Sequence, residues 1–297
     1  MLDAVKNLAL GTALIGGLLA GSAGTPANAQ DDKSINIGWT AWSDAEAVTK
    51  MAAKILEERL GYDVELTLAD VAIQYSGVAS GDIDLMMMAW LPQTHQDYME
   101  KFAGEVIDLG PLYTGARLGW AIPNYIPKDQ LSSIEDLQKE EVAEKLGNRI
   151  VGIDPGAGLM RLSNEAVEEY GLDDYQLVSS SGAGMTAELD RAVQRDEWVV
   201  VTAWNPHWMF SAYELRYLED PKGVLAGVEH IDALARKGFY NDHPEAAAFL
   251  ARMYIPLEEL ETVMFKAQET SYEEAVAEYI ETHEERVNYW VTGEIGE

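Results

Sequence analysis

The chain contains no cysteine. That excludes disulfides, thiol catalysis, and zinc or iron–sulfur sites built on cysteine ligands. Basic residues are scarce: 21 Lys and Arg stand against 51 Asp and Glu, a formal net charge of −30. Binding nucleic acid takes clustered Lys and Arg to neutralise phosphate, and an anionic membrane surface repels such a charge, so both partner classes fall away. Beyond the first thirty residues no run is long and apolar enough to span a membrane. No H-E-x-x-H pair, EF-hand loop, P-loop or G-x-S-x-G elbow is present. No motif is therefore left for a metal, a nucleotide phosphate or a serine nucleophile. What is there is a 297-residue chain, 47% hydrophobic: globular, and long enough for one large or two medium domains.

Residues 1–29 read as a secretory signal peptide. Lys6 precedes the apolar run from Leu8 to Ala20, and Ala27-Asn28-Ala29 forms an A-x-A cleavage pattern. The expectation is a protein exported to the periplasm.

The remaining chain alternates strand-like and helix-like segments, the pattern of an α/β fold, and it does so twice. Ile35 to Gly38 is a short apolar strand, followed by a loop ending at Trp42-Ser43. An amphipathic helix runs from Asp44 to Leu60, with Ser43-Asp44-Ala45-Glu46 as a capping box and Gly61 as its stop. Val64 to Leu68 is a strand, a helical stretch follows, and Asp84 to Ala89 is a buried strand running into Trp90-Leu91-Pro92. From Arg149 the order restarts: strand Ile150 to Ile153, loop Asp154 to Gly158, helix Leu159 to Tyr170, strand Tyr175 to Val178, helix Thr186 to Gln194. Strand Trp198 to Ala203 then runs into Trp204-Asn205-Pro206. Gly38 to Gly152 and Trp90 to Trp204 are both 114 residues apart, and Gly61 to Gly171 is 110. Three equivalences in one order predict two similar α/β lobes.

Between the halves, Pro111 to Pro127 carries the strand-like Leu118 to Ile122 and reads as the first crossing between lobes. Ile134 to Leu146 reads as one acidic helix capped by Ser133, and Val228 to Phe239 as the return crossing. Three helices, Pro244 to Met253, Leu257 to Gln268 and Ser271 to Trp290, should pack back on the first lobe. The expected division is 30–118 for the first part of lobe 1, 119–225 for lobe 2, and 226–297 for the return. Ligands of open α/β sheets bind at carboxyl ends of strands, here a cleft between lobes.

Trp42, Trp90 and Trp204 all follow predicted strand ends. Three indoles facing one point would form a cation–π cage for a quaternary ammonium group. The other tryptophans, Trp39, Trp120, Trp198, Trp208 and Trp290, are assigned to packing, with Trp39 and Trp208 near enough to the cleft to support it. The helix start after Trp42 carries Asp44 and Glu46, whereas the one after Gly156 carries Gly158, Leu159, Met160 and Arg161, with no acid. Its backbone N–H groups are open to an external anion, and its glycines allow close approach. His95, five residues beyond Trp90, could donate to a carboxylate. His207 sits in Trp204-Asn205-Pro206-His207-Trp208, while His230, His243 and His283 have no partners at ligand spacing. The Ser179 to Gly184 loop has the composition of a phosphate cradle but lacks its lysine, and reads as a cleft edge.

At these residues the sequence resembles the substrate-binding proteins of glycine betaine/proline betaine/choline ABC transporters. The resemblance rests on Ala41-Trp42-Ser43, Ala89-Trp90-Leu91-Pro92-Gln93-Thr94-His95, the Gly152 to Met160 segment GIDPGAGLM, and the Ala203 to Phe210 segment AWNPHWMF. It covers nearly all of the chain after the signal peptide. It implies a two-lobed, type II-like periplasmic-binding fold, with a tryptophan prism of Trp42, Trp90 and Trp204 around an onium head. It further implies that Gly158, Leu159 and His95 hold the ligand carboxylate, with Gly156 beside them. The expected ligand is glycine betaine, with choline, carnitine, trimethylamine N-oxide and dimethylsulfoniopropionate as alternatives. The expected partners are this ligand and the permease subunits of an inner-membrane ABC importer. No cofactor, metal or catalysis is expected, and the protein should be a monomer. A periplasmic hydrolase using the same cleft is the rival from another class, opposed by the missing nucleophile and base.

Overall fold

In the computed structural model, residues 33–225 and 227–295 are described; the predicted signal peptide lies outside them. The first half holds β1 (Ser34–Trp39), α1 (Ser43–Leu60), β2 (Asp63–Leu68), α2 (Val71–Ser80), β3 (Leu85–Leu91) and α3 (Gln96–Lys101). Then come β4 (Val106–Pro123), a 3-10 turn (Ile134–Gln138) and α4 (Glu140–Leu146). The second half repeats the unit as β5 (Arg149–Val151), α5 (Gly158–Glu169), β6 (Gln176–Val178), α6 (Gly182–Gln194) and β7 (Val201–Asn205). The chain closes with α7 (Met209–Ala212), β8 (Leu215–Tyr217), β9 (Val228–Arg236), α8 (Phe239–Asp242), α9 (Pro244–Leu250), α10 (Leu257–Glu269), α11 (Tyr272–Thr282) and α12 (Glu284–Thr292).

The repeat read from spacing is a repeat of topology. β1 lies parallel between β2 and β3, and β5 lies parallel between β6 and β7. Each half is thus a three-stranded parallel unit with its first strand in the middle. All nine strands join one sheet in the order β2-β1-β3-β9-β4-β7-β5-β6, with β8 beside β4. β9 runs antiparallel to both β3 and β4. β4 pairs with β9 along its first part and with β7 along its second, Arg117 facing Val228 on one side and Asn205 on the other. The two segments read as crossings are these two antiparallel strands. Their ladder shifts register three times, between Asp108 and Ala116.

Local sequence explains the framework. In α1 the residues Ala45, Val48, Ala52 and Ile55 with Met51 and Leu56 are buried, a helical stripe against the sheet. Gly61, at φ 71°, ends the helix by donating to the Leu56 carbonyl. Every residue of β3 (LMMMAWL) is buried, as befits a strand covered on both faces. Helices α9, α10 and α11 pack on α1. No helix among the described residues is long and apolar enough to cross a membrane.

Four local expectations fail, each for a physical reason. The capping box at Ser43 does not form. Trp42 is the N-cap, without a side-chain bond, because Ser43 and Asp44 are drawn into tertiary contacts. Ser133 does cap its segment, accepting from the Glu135 N–H, but Ile134 to Leu146 is not one helix: Lys139 is extended (ψ 126°) and divides it. Ser271 to Trp290 is likewise two helices, broken at His283 (φ −118°, ψ 37°), whose ring stacks 4.1 Å from Tyr279. β4 is far longer than Leu118 to Ile122, because Pro111 and the positive-φ glycines Gly110 and Gly115 hide its alternation.

Candidate functional site

Trp90 sits near the end of β3, Trp204 near the end of β7, and Trp42 at the start of α1. The three indoles border one cavity, which His95, Gly158 and Leu159 also line. All three are almost fully buried, at 6%, 3% and 3% exposure for Trp42, Trp90 and Trp204. Six of the nine residues singled out from sequence therefore meet at one point.

Two of the indoles have their N–H groups occupied by acids of the opposite repeat. Trp42 Nε1 donates to Asp154 Oδ2 at 3.0 Å, and Trp204 Nε1 donates to Asp44 Oδ1 at 2.9 Å. Asp44 and Asp154 are 110 residues apart, the spacing already seen for Gly61 and Gly171, and each repeat gives one indole and one acid to the exchange. It turns polar ring edges towards carboxylates and orients the two rings. Asp44 is completely buried and also accepts from the Tyr113 hydroxyl at 2.6 Å. Burial raises its carboxyl above the ordinary range, while these two donors favour the charged form. Sequence reasoning saw Asp44 only as an acid at a helix start, and did not see the role of Asp154.

His95 is 1% exposed. Its Nδ1 accepts the Trp90 N–H at 3.1 Å and lies 3.3 Å from the Tyr75 hydroxyl. With Nδ1 an acceptor, the neutral ring carries its proton on Nε2, an assignment made from the hydrogen-bond network. Nε2 has no hydrogen-bond partner among the described residues, and it is the ring edge left to the cavity. Burial, then the positive charge of Arg161, pull the imidazole down to about 3, so it stays neutral and donates a single hydrogen.

Across the cavity, α5 begins at Ala157 without a side-chain cap and without an acid in its first turn. The amides of Gly158 and Leu159 donate to no group among the described residues, so this helix start has its donors unspent. The missing side chain of Gly158 has a packing use. A Cβ there would stand 2.4 Å from the Thr94 carbonyl oxygen, so its smallness lets α5 meet the turn before His95. Gly156 is off the cavity lining, and its carbonyl accepts from the Tyr98 hydroxyl at 3.2 Å. Trp39 is also off the cavity, with Lys50 Nζ 5.9 Å from its ring centroid. Trp208 and His207 line a second hollow behind Trp42 and Trp204. The Ser179 to Gly184 loop opens α6, where Gly182 lies against those same two rings.

The roles of two more residues escaped the sequence reading. Glu229, on β9, grips the Gln93-Thr94 turn, and Arg161 reaches the same turn from α5. Glu229 left no local signal, since its partners lie 135 and 136 residues away. No cluster of His, Asp and Glu among the described residues could hold a metal ion.

Residues 33–282 match the family described as the substrate binding domain of an ABC-type glycine betaine transport system. A glycine betaine/carnitine transport binding protein of Listeria monocytogenes is 37% identical over 158 residues, 52% of this chain and 53% of that protein. The match thus spans about half the length of that relative. Two solved structures are similar over nearly the whole fold. Lactococcal OpuAC, closed and complexed with glycine betaine, has TM-score 0.81 and 35% identity, covering 88% of this chain and 100% of that one. A glycine betaine, L-proline transporter binding protein from Borrelia burgdorferi has TM-score 0.81 and 33% identity, covering 87% and 96%. The fold is the two-lobed periplasmic-binding type, and its relatives are transporter binding proteins, not enzymes.

Proposed function

The chain belongs to the family of substrate-binding domains of ABC-type glycine betaine transport systems, and we propose that it binds a betaine-type onium ligand, glycine betaine foremost, in the cavity between its repeats. The observation that carries this reading is the polarity of the cavity. One end offers the faces of Trp42, Trp90 and Trp204, two of which have their N–H groups already engaged by Asp154 and Asp44. A trimethylammonium head is held by such faces through cation–π attraction. The other end offers the Nε2–H of His95 and the open amides of Gly158 and Leu159, a set of donors suited to a carboxylate.

The protein then delivers its ligand unchanged to the permease of an ABC importer. In this reading residues 1–29 direct export to the periplasm, 30–118 with 226–297 form one lobe, and 119–225 form the other. The protein acts as a monomer without cofactor.

A calorimetric panel of small onium compounds tests the assignment. Choline presents a hydroxyl where glycine betaine presents a charged acceptor. It leaves buried donors underused, at about 1–3 kcal/mol for an unsatisfied group. Glycine betaine should therefore bind at least about tenfold tighter than choline. If choline or trimethylamine N-oxide binds tighter, the carboxylate end is misassigned. If no onium compound binds, the reading fails. Dimethylsulfoniopropionate and carnitine, each with a cation and a carboxylate, complete the panel.

A further inference from the structure

The turn that leads into His95 is gripped from two sides, by β9 and by α5 of the second repeat. Glu229 is 2% exposed, and its carboxylate accepts three hydrogen bonds from this turn: Gln93 N–H at 2.8 Å, Thr94 N–H at 2.8 Å and the Thr94 hydroxyl at 2.5 Å. It reaches them because β9 lies beside β3, with His230 facing Leu91. From the other side Arg161, in the first turn of α5, donates through Nη2 to the carbonyls of Gln93 at 3.2 Å and Thr94 at 3.3 Å. The N–H groups of the two residues are thus tied to the sheet through β9, and their carbonyls to the helix of the second repeat.

The ion pairs of Arg161 with Asp97 (3.3 Å) and Glu165 (2.9 Å) are solvent-accessible, and such pairs hold little on their own. Its hold on the turn joins the repeats beside the indole–carboxylate pairs of Trp42 and Trp204. The same turn meets Gly158 at the Thr94 carbonyl. A shift of the turn therefore changes the distance between His95 Nε2 and the Gly158 and Leu159 amides. The indoles would stay in place, since β3, β7 and the start of α1 carry them.

We propose that Glu229 and Arg161 are positioning residues that set the spacing of the donor end of the cavity, and so determine how strongly a carboxylate-bearing onium ligand is preferred over a bare onium cation. Neither residue lines the cavity. The proposal rests on the functional reading above.

Titration calorimetry with two probes, glycine betaine and tetramethylammonium, tests it. In Glu229→Gln an amide nitrogen replaces one carboxylate acceptor. Glycine betaine affinity should fall by about tenfold, the loss of a charge-assisted hydrogen bond, and tetramethylammonium affinity by less than about twofold. Thr94 itself lines the cavity; Thr94→Val keeps its bulk while deleting one donor to Glu229, and should shift the ratio in the same direction by about threefold. Arg161→Met should lower the ratio as well. An equal loss for both probes, or an unchanged ratio in all three variants, overturns the proposal. If Glu229→Gln does not fold, Thr94→Val and Arg161→Met decide the matter. A parent protein that binds neither probe refutes the functional reading instead.

Discussion

The turn after Trp90 and the turn after Trp204 stand in equivalent places of the two repeats, and both contain a cis X-Pro bond and a buried histidine. They differ in which polar atoms are spent. His207 uses both nitrogens: Nδ1 accepts the Met209 N–H at 3.0 Å, and Nε2 lies 3.2 Å from the Ser43 hydroxyl. Its ring stands edge-on to Trp204 at 4.5 Å and braces it. His95 uses Nδ1 alone and keeps Nε2 for the cavity. The helix starts diverge in the same way, with the buried acid Asp44 in the first turn of α1 and the cation Arg161 in the first turn of α5. Near-symmetry of backbone supplies the aromatic frame. Unequal wiring leaves indole faces at one end of that frame and unspent N–H donors at the other, the polarity on which the proposed zwitterionic ligand depends.

The comparison breaks hardest at the rings. Trp204→Ala removes a cation–π face worth about 0.5–2 kcal/mol. It also strips Asp44 of a donor, at about 1–3 kcal/mol. Glycine betaine affinity should fall at least about tenfold by calorimetry. Trp120→Ala should lower the unfolding temperature and spare binding, because that fully buried indole donates to Ser163 Oγ away from the cavity. Equal binding losses in both variants would remove the special place given to Trp204.

The histidine pair sharpens the contrast. His95→Ala should weaken glycine betaine by about tenfold, one charge-assisted hydrogen bond, and leave tetramethylammonium nearly unchanged. His207→Ala should act on both ligands alike, through Trp204. If the two variants show the same ligand profile, the unequal wiring has no functional meaning.

The two acids differ in burial, not only in partner. Asp44→Ala leaves two buried donors without an acceptor, and stability should drop by about 2–4 kcal/mol. Asp154→Ala, at a half-buried site with one indole partner, should cost about 1 kcal/mol or less in denaturant unfolding.

Acid and alkali act with opposite signs. His95 and His207 are both held near 3, against an ordinary value of 6.5. Below that ordinary value the unfolded chain binds protons that the folded chain refuses. Their stabilising contribution is full above about 6.5 and is lost as pH falls towards 3. Asp232, 3% exposed and close to Asp108, is raised well above the carboxylate range by burial and then by that neighbour's charge. His230, with Nε2 3.6 Å away, is the basic group beside it. A raised acid favours the folded state at low pH and loses that contribution as pH climbs through its raised value. Asp232→Asn should therefore raise the midpoint at pH 8 by about 2–4 °C. It should change little at pH 4. An equal shift at both pH values would exclude the titration as its cause.

Much of this architecture was legible because its marks are rare and repeated. Tryptophan at two strand ends and glycine at two helix ends kept spacings of 114 and 110 residues, and the tryptophans lead to the cavity. Local rules failed where distant groups competed. The Ser43 box lost to His207, and the helices at Lys139 and His283 break at single residues that periodicity passes over. Glu229 could not be read at all, since nothing within its own strand distinguishes it from a solvated acid. Its meaning comes from the turn that lies beside it.

The place of β9 also governs how the molecule can assemble. It fills the gap between β3 and β4, pairing Ala235 with both Leu85 and Ile107. Until that late segment is synthesised, β3 with its uninterrupted apolar sequence has an unfilled edge, the kind of template that captures other chains. Pairing across so many residues is also slow, because loop-closure entropy must be overcome before the contacts form. A nascent chain halted after β8 would hold both three-stranded units but no strand to join β3 to β4, so the hazard of aggregation is concentrated in the time before β9 arrives.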